Sequence, residues 1–122
     1  NRTHSKAQNL ANIFRAYGNI EALRFSDIAP QSVDIIINGS SSSLLGELPP
    51  LAEGILAQDA CAYDMAYGKA DLPFLTWAKT QQATISDGLG MLIEQAAESF
   101  FIWRGLRVQT AELLAEIRAE LA

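Results

Sequence analysis

Arg2 and Lys6 stand four residues apart near the head of the chain, a spacing that puts both on one side of a helix. The free N–H groups of a helix N-terminus already favour an anion, so this pair is a candidate phosphate grip. In the dinucleotide fold an acid at the end of the second strand takes the ribose 2'-hydroxyl, whereas a basic residue there accommodates a 2'-phosphate. Asn1-Arg2-Thr3 carries no acid, which favours NADP over NAD. The plain alternative is two solvated charges.

Three further groups could act on a ligand. Asn38-Gly39-Ser40-Ser41 follows an apolar run directly, so that backbone N–H groups and the small hydroxyls of Ser40 and Ser41 could approach a cofactor closely. An ordinary polar turn is the competing reading. Met65 and Tyr67, two residues apart, would face one way on a continuing strand and line one wall; otherwise they are a core methionine and a half-buried tyrosine. On the helix that follows Gly88, at about 100° per residue with Leu92 at zero, Leu92, Ile93, Ala96, Ala97 and Phe100 fill an arc of roughly 140°. Gln95 and Gly88 lie off that stripe, where one amide could be presented to a polyol.

Nothing in the chain makes a catalytic or metal constellation. His4 is the only histidine and belongs to a different loop from the serines, so none of them gains a base. Lys69 and Lys79 read as solvated. One cysteine, Cys61, excludes an intrachain disulfide and a zinc cluster, and fits a reducing cytoplasm. A net charge of -5 argues against a general nucleic-acid or anionic-membrane surface, and no apolar run approaches the ~20 residues that cross a bilayer. The 122 residues suffice for one domain.

The elements that must position these groups alternate. Ala7, Leu10, Ala11, Phe14 and Tyr17 keep helical spacing over 3–17, with Gly18 as the stop. A short strand is expected over 20–25, and Val33 to Asn38 reads as a strand buried on both faces at the centre of a parallel sheet. Pro49-Pro50 opens a weak helix to about Ala57. A strand over 60–65, a helix over 71–81 with Pro73 in its first turn, and a strand over 84–85 follow. Two amphipathic helices close the chain, the second with Thr110 as N-cap. The pattern is α/β: a partial Rossmann-like parallel sheet flanked by helices, with ligands expected at the carboxyl ends of the strands.

Four segments in order resemble shikimate dehydrogenase: Asn1-Arg2-Thr3-His4-Ser5-Lys6-Ala7, Asp34-Ile35-Ile36-Ile37-Asn38-Gly39-Ser40-Ser41, Tyr63-Asp64-Met65-Ala66-Tyr67, and Asp87-Gly88-Leu89-Gly90-Met91-Leu92 with Gln95. Pro73-Phe74-Leu75 and Trp103-Arg104-Gly105 sit where that family has similar residues. Order and spacing together make the match specific. The departures are Lys6, where the family often has Arg, and the Ser-rich stretch after Gly39.

The resemblance implies an oxidoreductase of the shikimate pathway that reduces 3-dehydroshikimate to shikimate with NADPH. It implies cofactor contacts at Asn1, Arg2, Thr3, Lys6, Ser40, Ser41, Met65 and Gly88, and substrate contacts at Tyr67 and Gln95. It also implies that the chain is a single NADP-binding unit lacking the family's glycine-rich loop, its first βα unit and the amino-terminal substrate domain that supplies the catalytic Lys and Asp. Such a piece is expected to be inactive alone, to bind cofactor weakly and to self-associate through its open edge. A quinate/shikimate enzyme that uses NAD, or a non-catalytic nucleotide-binding or interaction module, are the alternatives.

Overall fold

The computed structural model describes residues 3–68 and 72–121. Asn1, Arg2 and Lys69 lie outside the described residues, as does Asp71, the expected start of one helix. Three parallel strands, β1 Val33–Asn38, β2 Leu56–Asp64 and β3 Thr84–Ser86, form a sheet in the order β1-β2-β3. Helices α1 His4–Phe14, α2 Ser42–Leu45, α3 Pro73–Thr80, α4 Leu89–Arg104 and α5 Ala111–Glu120 surround or follow it. The α/β class and the two closing helices are as the sequence pattern predicts.

The core lies between β2 and α3. The alternate residues of β2 that meet the helix are small: Ala60 and Ala62 are buried in the cluster that α3 completes. These short side chains let α3 settle close to the sheet with Phe74, Leu75, Trp77 and Ala78 inward, beside Ile55 and Leu72. Pro73 at the head of α3 costs no hydrogen bond, because the first N–H groups of a helix have no partner within it. Burying apolar side chains of this size contributes about 1.5–3 kcal/mol each, which makes this cluster the principal stabilising contact.

Three expectations fail, each for want of a partner or because of local backbone. No strand forms over 20–25; the chain is irregular there and ends in a 3-10 turn, Phe25–Asp27. A strand needs a ladder, and among the described residues no strand of the sheet pairs with this segment. The weak helix over 50–57 is also absent, since Gly54 takes a left-handed φ of 75° and the chain enters β2 at Leu56. β1 is an edge strand rather than the centre, pairing with β2 alone among the described residues, and its Ile35 and Ile37 are 67% and 64% exposed. β2 ends at Asp64, so Met65 and Tyr67 are not on a strand.

The helices are amphipathic but only thinly covered. In α1 Ala11 alone is buried, while Leu10, Ile13 and Phe14 stay exposed. In α4 only Leu89 and Ile93 are buried, near the middle of the expected stripe, whereas Leu92 at its edge and Phe100, also near its middle but two turns further along, remain exposed. Thr110 does hold the N-cap position of α5, yet its hydroxyl donates to Glu94 Oε1 at 2.6 Å instead of capping the helix.

Candidate functional site

The carboxyl ends of the three strands carry three loops, and backbone contacts join them. Asn38 ends β1 with its side chain buried, donating from Nδ2 to Ser43 Oγ at 2.8 Å and to Asp64 Oδ2 at 3.2 Å. Ser43 Oγ also donates to Asp64 Oδ2 at 2.5 Å, and Asp64 Oδ1 accepts the Ala66 N–H at 2.9 Å. With this many donors the buried carboxyl group of Asp64 is satisfied, which gives it a structural role. Its physical effect is to pin the loop after β1 to the loop after β2.

Ser40 turns back on the same network. Its N–H and its hydroxyl both point to Asn38 Oδ1, at 3.1 and 2.7 Å, and its oxygen lies 2.6 Å from Ser42 Oγ. The side chain of Asn38 is therefore a hub, as asparagine side chains are in many turns. Ser41 is exposed and precedes the one-turn helix α2, which Gly46 closes at a φ of 74°.

Met65 donates its N–H to Asn38 O at 3.0 Å, and its side chain folds over Gly39, where an added Cβ would lie 3.1 Å from the sulfur. Met65 and Tyr67 are 45% and 43% exposed, so both present side-chain surface at the strand ends. Gly88 closes the set: its N–H donates to Ala66 O at 3.0 Å, and a Cβ placed on it would come within 2.6 Å of the Met65 carbonyl carbon. No residue but glycine fits there without moving backbone. Ser40, Met65 and Gly88 are thus brought together at one end of the sheet, where open α/β sheets bind ligands.

The remaining predicted residues are less tightly placed. Gln95 is exposed, two turns into α4 from Gly88, and its carbonyl accepts the Ser99 hydroxyl at 2.9 Å. Thr3 occupies the N-cap position of α1 and its carbonyl accepts the Lys6 N–H at 3.1 Å; the Lys6 side chain is exposed in the first turn. The hydrogen bonds that join the three strand-end loops do not include Lys6. Asn1 and Arg2, the other half of the phosphate grip, lie outside the described residues. Among the described residues no group of three or more His, Cys, Asp or Glu could hold a metal ion.

Two features escape a reading of local sequence. Asn38 and Ser43 form the hub with Asp64; a polar residue ending a β-branched apolar strand is the signal that could have found Asn38. The second is an ion pair across 31 positions, with Arg118 of α5 holding both carboxylate oxygens of Asp87 at 2.5 and 2.9 Å. The Arg118 guanidinium hydrogen-bonded to it, with help from the Leu89 N–H, holds the Asp87 carboxyl below the usual carboxylate range against the opposing effect of burial. No spacing rule reaches that far.

Comparison with known proteins agrees with this geometry. The profile of the shikimate 5'-dehydrogenase C-terminal domain matches residues 88–118. The NADP(+) shikimate dehydrogenase of Nitrosospira multiformis is 47% identical over 122 residues, 99% of this chain and 44% of that protein. Among solved structures, an Ael1 enzyme from Pseudomonas putida superposes with a TM-score of 0.84 at 42% identity, covering 95% of this chain and 43% of that one. The shikimate 5-dehydrogenase of Thermus thermophilus, solved in complex with shikimate, gives 0.78 at 26% identity over 99% of this chain and 43% of its own. The chain is therefore similar to shikimate dehydrogenases along nearly its whole length, and spans less than half the length of the curated relatives it matches.

Proposed function

We propose that this chain is the cofactor-binding portion of an NADP-dependent shikimate dehydrogenase, which reduces 3-dehydroshikimate to shikimate with NADPH. The observation that carries the reading is the meeting of Ser40, Met65 and Gly88 at the carboxyl ends of three parallel strands, in a chain similar to NADP(+) enzymes over nearly its full length.

The residues present fit the reactive end of a dinucleotide. Gly39 lets the Met65 thioether pack close to the backbone after β1, Met65 offers an apolar, polarisable wall, and the exposed Ser41 hydroxyl can donate to an anionic or polar group. Lys6, in the first turn of α1, offers its charge to a 2'-phosphate together with Asn1, Arg2 and Thr3. When bound, NADPH supplies the hydride for a ketone carbon. The Tyr67 hydroxyl and the Gln95 amide would hold hydroxyls of the polyol and fix which face meets the cofactor. The proton for the developing alkoxide needs an acid. We assign that acid, a Lys or Asp, to a substrate domain outside these 122 residues.

Titration of the chain with NADP and NAD tests the reading. NADP should bind more tightly, and Lys6→Ala should weaken NADP about tenfold while leaving NAD unchanged, as expected for loss of one charge-assisted contact. Equal affinity for NAD would favour the quinate/shikimate branch, and binding of neither would favour a non-catalytic module. Mixed with 3-dehydroshikimate and NADPH, the chain alone should give no loss of nicotinamide absorbance; a rate proportional to its concentration would refute the assignment of the acid to another domain. The exposed Ile35 and Ile37 on the edge strand β1 support self-association of the isolated chain. A reducing cytoplasm is the compartment that suits the single, unpaired Cys61.

A further inference from the structure

We infer that Arg118, which stands on the last helix and is none of the residues assigned to cofactor or substrate contact, is a positioning residue for the reacting end of the cofactor site. The inference rests on the functional reading above, and a physical chain of contacts carries it. Arg118 is bidentate on Asp87, with Nη1 on Oδ2 and Nη2 on Oδ1. Asp87 Oδ1 also accepts the Leu89 N–H at 3.3 Å, so the same carboxylate fixes the first turn of α4. The next residue, Gly88, donates its N–H to Ala66 O and lies against the Met65 carbonyl with no room to spare. Any displacement of Asp87 therefore passes directly into the segment that carries Met65 and Tyr67.

The end of α5 also lies close to the same segment. Leu121, just past the end of the helix, stands 3.8 Å from where a Cβ on Gly68 would be, and Gly68 follows Tyr67 with a left-handed φ of 81°. Thus α5 is tied to the loop after β3 by charge, and its end lies close to the loop after β2. The charges also suit their places: Asp87 precedes the N-terminus of α4 and Arg118 occupies the last turn of α5, each complementing its helix dipole. Arginine is needed, because a planar fork fixes the direction of the carboxylate as well as its distance, which an ammonium does not.

The test uses the native protein that contains these residues, as wild type, Arg118→Gln, Arg118→Lys and Asp87→Asn. Exchange of the Gly88 amide with solvent, read by NMR, should accelerate in Arg118→Gln relative to core amides such as Ala62. In the same variant kcat should fall about tenfold while the affinity for 2',5'-ADP, which reports only the phosphate end, stays unchanged. Arg118→Lys should recover little of the loss, and the Asp87→Asn/Arg118→Gln double variant should be no worse than either single. Unchanged Gly88 exchange would overturn the inference. So would a loss of activity that merely follows the folded fraction, or an equal loss of 2',5'-ADP affinity. A wild type that binds no NADPH would sink the functional reading, and the Gly88 exchange would still decide whether the clamp holds the turn.

Discussion

At the scale of single residues, the site depends on what is missing from Gly88 and on what is satisfied at Asp64. A methyl group at position 88 would meet the Met65 backbone, which cannot rotate away as a side chain can. We therefore expect Gly88→Ala to destabilise by about 1–3 kcal/mol through overpacking, measured by denaturant unfolding, and to weaken NADP binding as well. An unchanged midpoint would mean that α4 slides freely. Asp64 presents the opposite case. Asp64→Ala leaves Asn38 and Ser43 buried without their acceptor, at a cost of roughly 1–3 kcal/mol per group left unsatisfied, whereas Ser41→Ala should leave stability nearly unaltered because Ser41 is exposed. A similar midpoint shift in both variants would contradict this account.

At the scale of elements, α3 makes the sheet stable and α5 tethers the loop after β3. Truncating Phe74, which is 1% exposed in the core, to Ala should cost about 3–5 kcal/mol in thermal or denaturant unfolding. A marginal chain would not fold after such a loss. The tether at Asp87 has a pH dependence whose sign is fixed. Its folded carboxyl titrates below the ordinary value because Arg118 holds the charged form, so the stabilisation is fully present above about pH 4 and is lost as pH falls through the lower, folded value. With Arg118 half exposed, its worth is of the order of 1 kcal/mol. Unfolding of Asp87→Asn compared with wild type should show a difference at neutral pH that disappears in strong acid; a difference that persisted there would point to a cause other than charge.

At the scale of the whole molecule, the described residues leave much apolar surface uncovered. Ile35 and Ile37 of β1, Leu10, Ile13 and Phe14 of α1, and Ile102 and Trp103 of α4 are all exposed. Patches of this kind mark surfaces that meet another protein surface. The isolated chain should accordingly grow in light-scattering mass with concentration, and a charged substitution such as Ile37→Lys should reduce that growth by blunting the strand edge. A constant monomer mass over a hundredfold range would count against it.

The class of fold, and the loops that make up the candidate site, are legible in the local order of residue types. Alternation of β-branched runs with 3.6-residue stripes requires strand and helix in turn, and the loops that follow Asn38, Asp64 and Ser86 then fall at one end of a parallel sheet. These are local properties of a chain, written at spacings of two to four residues. Tertiary structure alone decided which segments found partners. Among the described residues, 20–25 have strand composition but no ladder, Val33–Asn38 has the composition of a central strand but stands at an edge, and Arg118 closes on Asp87 across 31 positions. Pairing, burial and charge contacts of that range depend on which surfaces meet in space, and no local pattern of residue types specifies that.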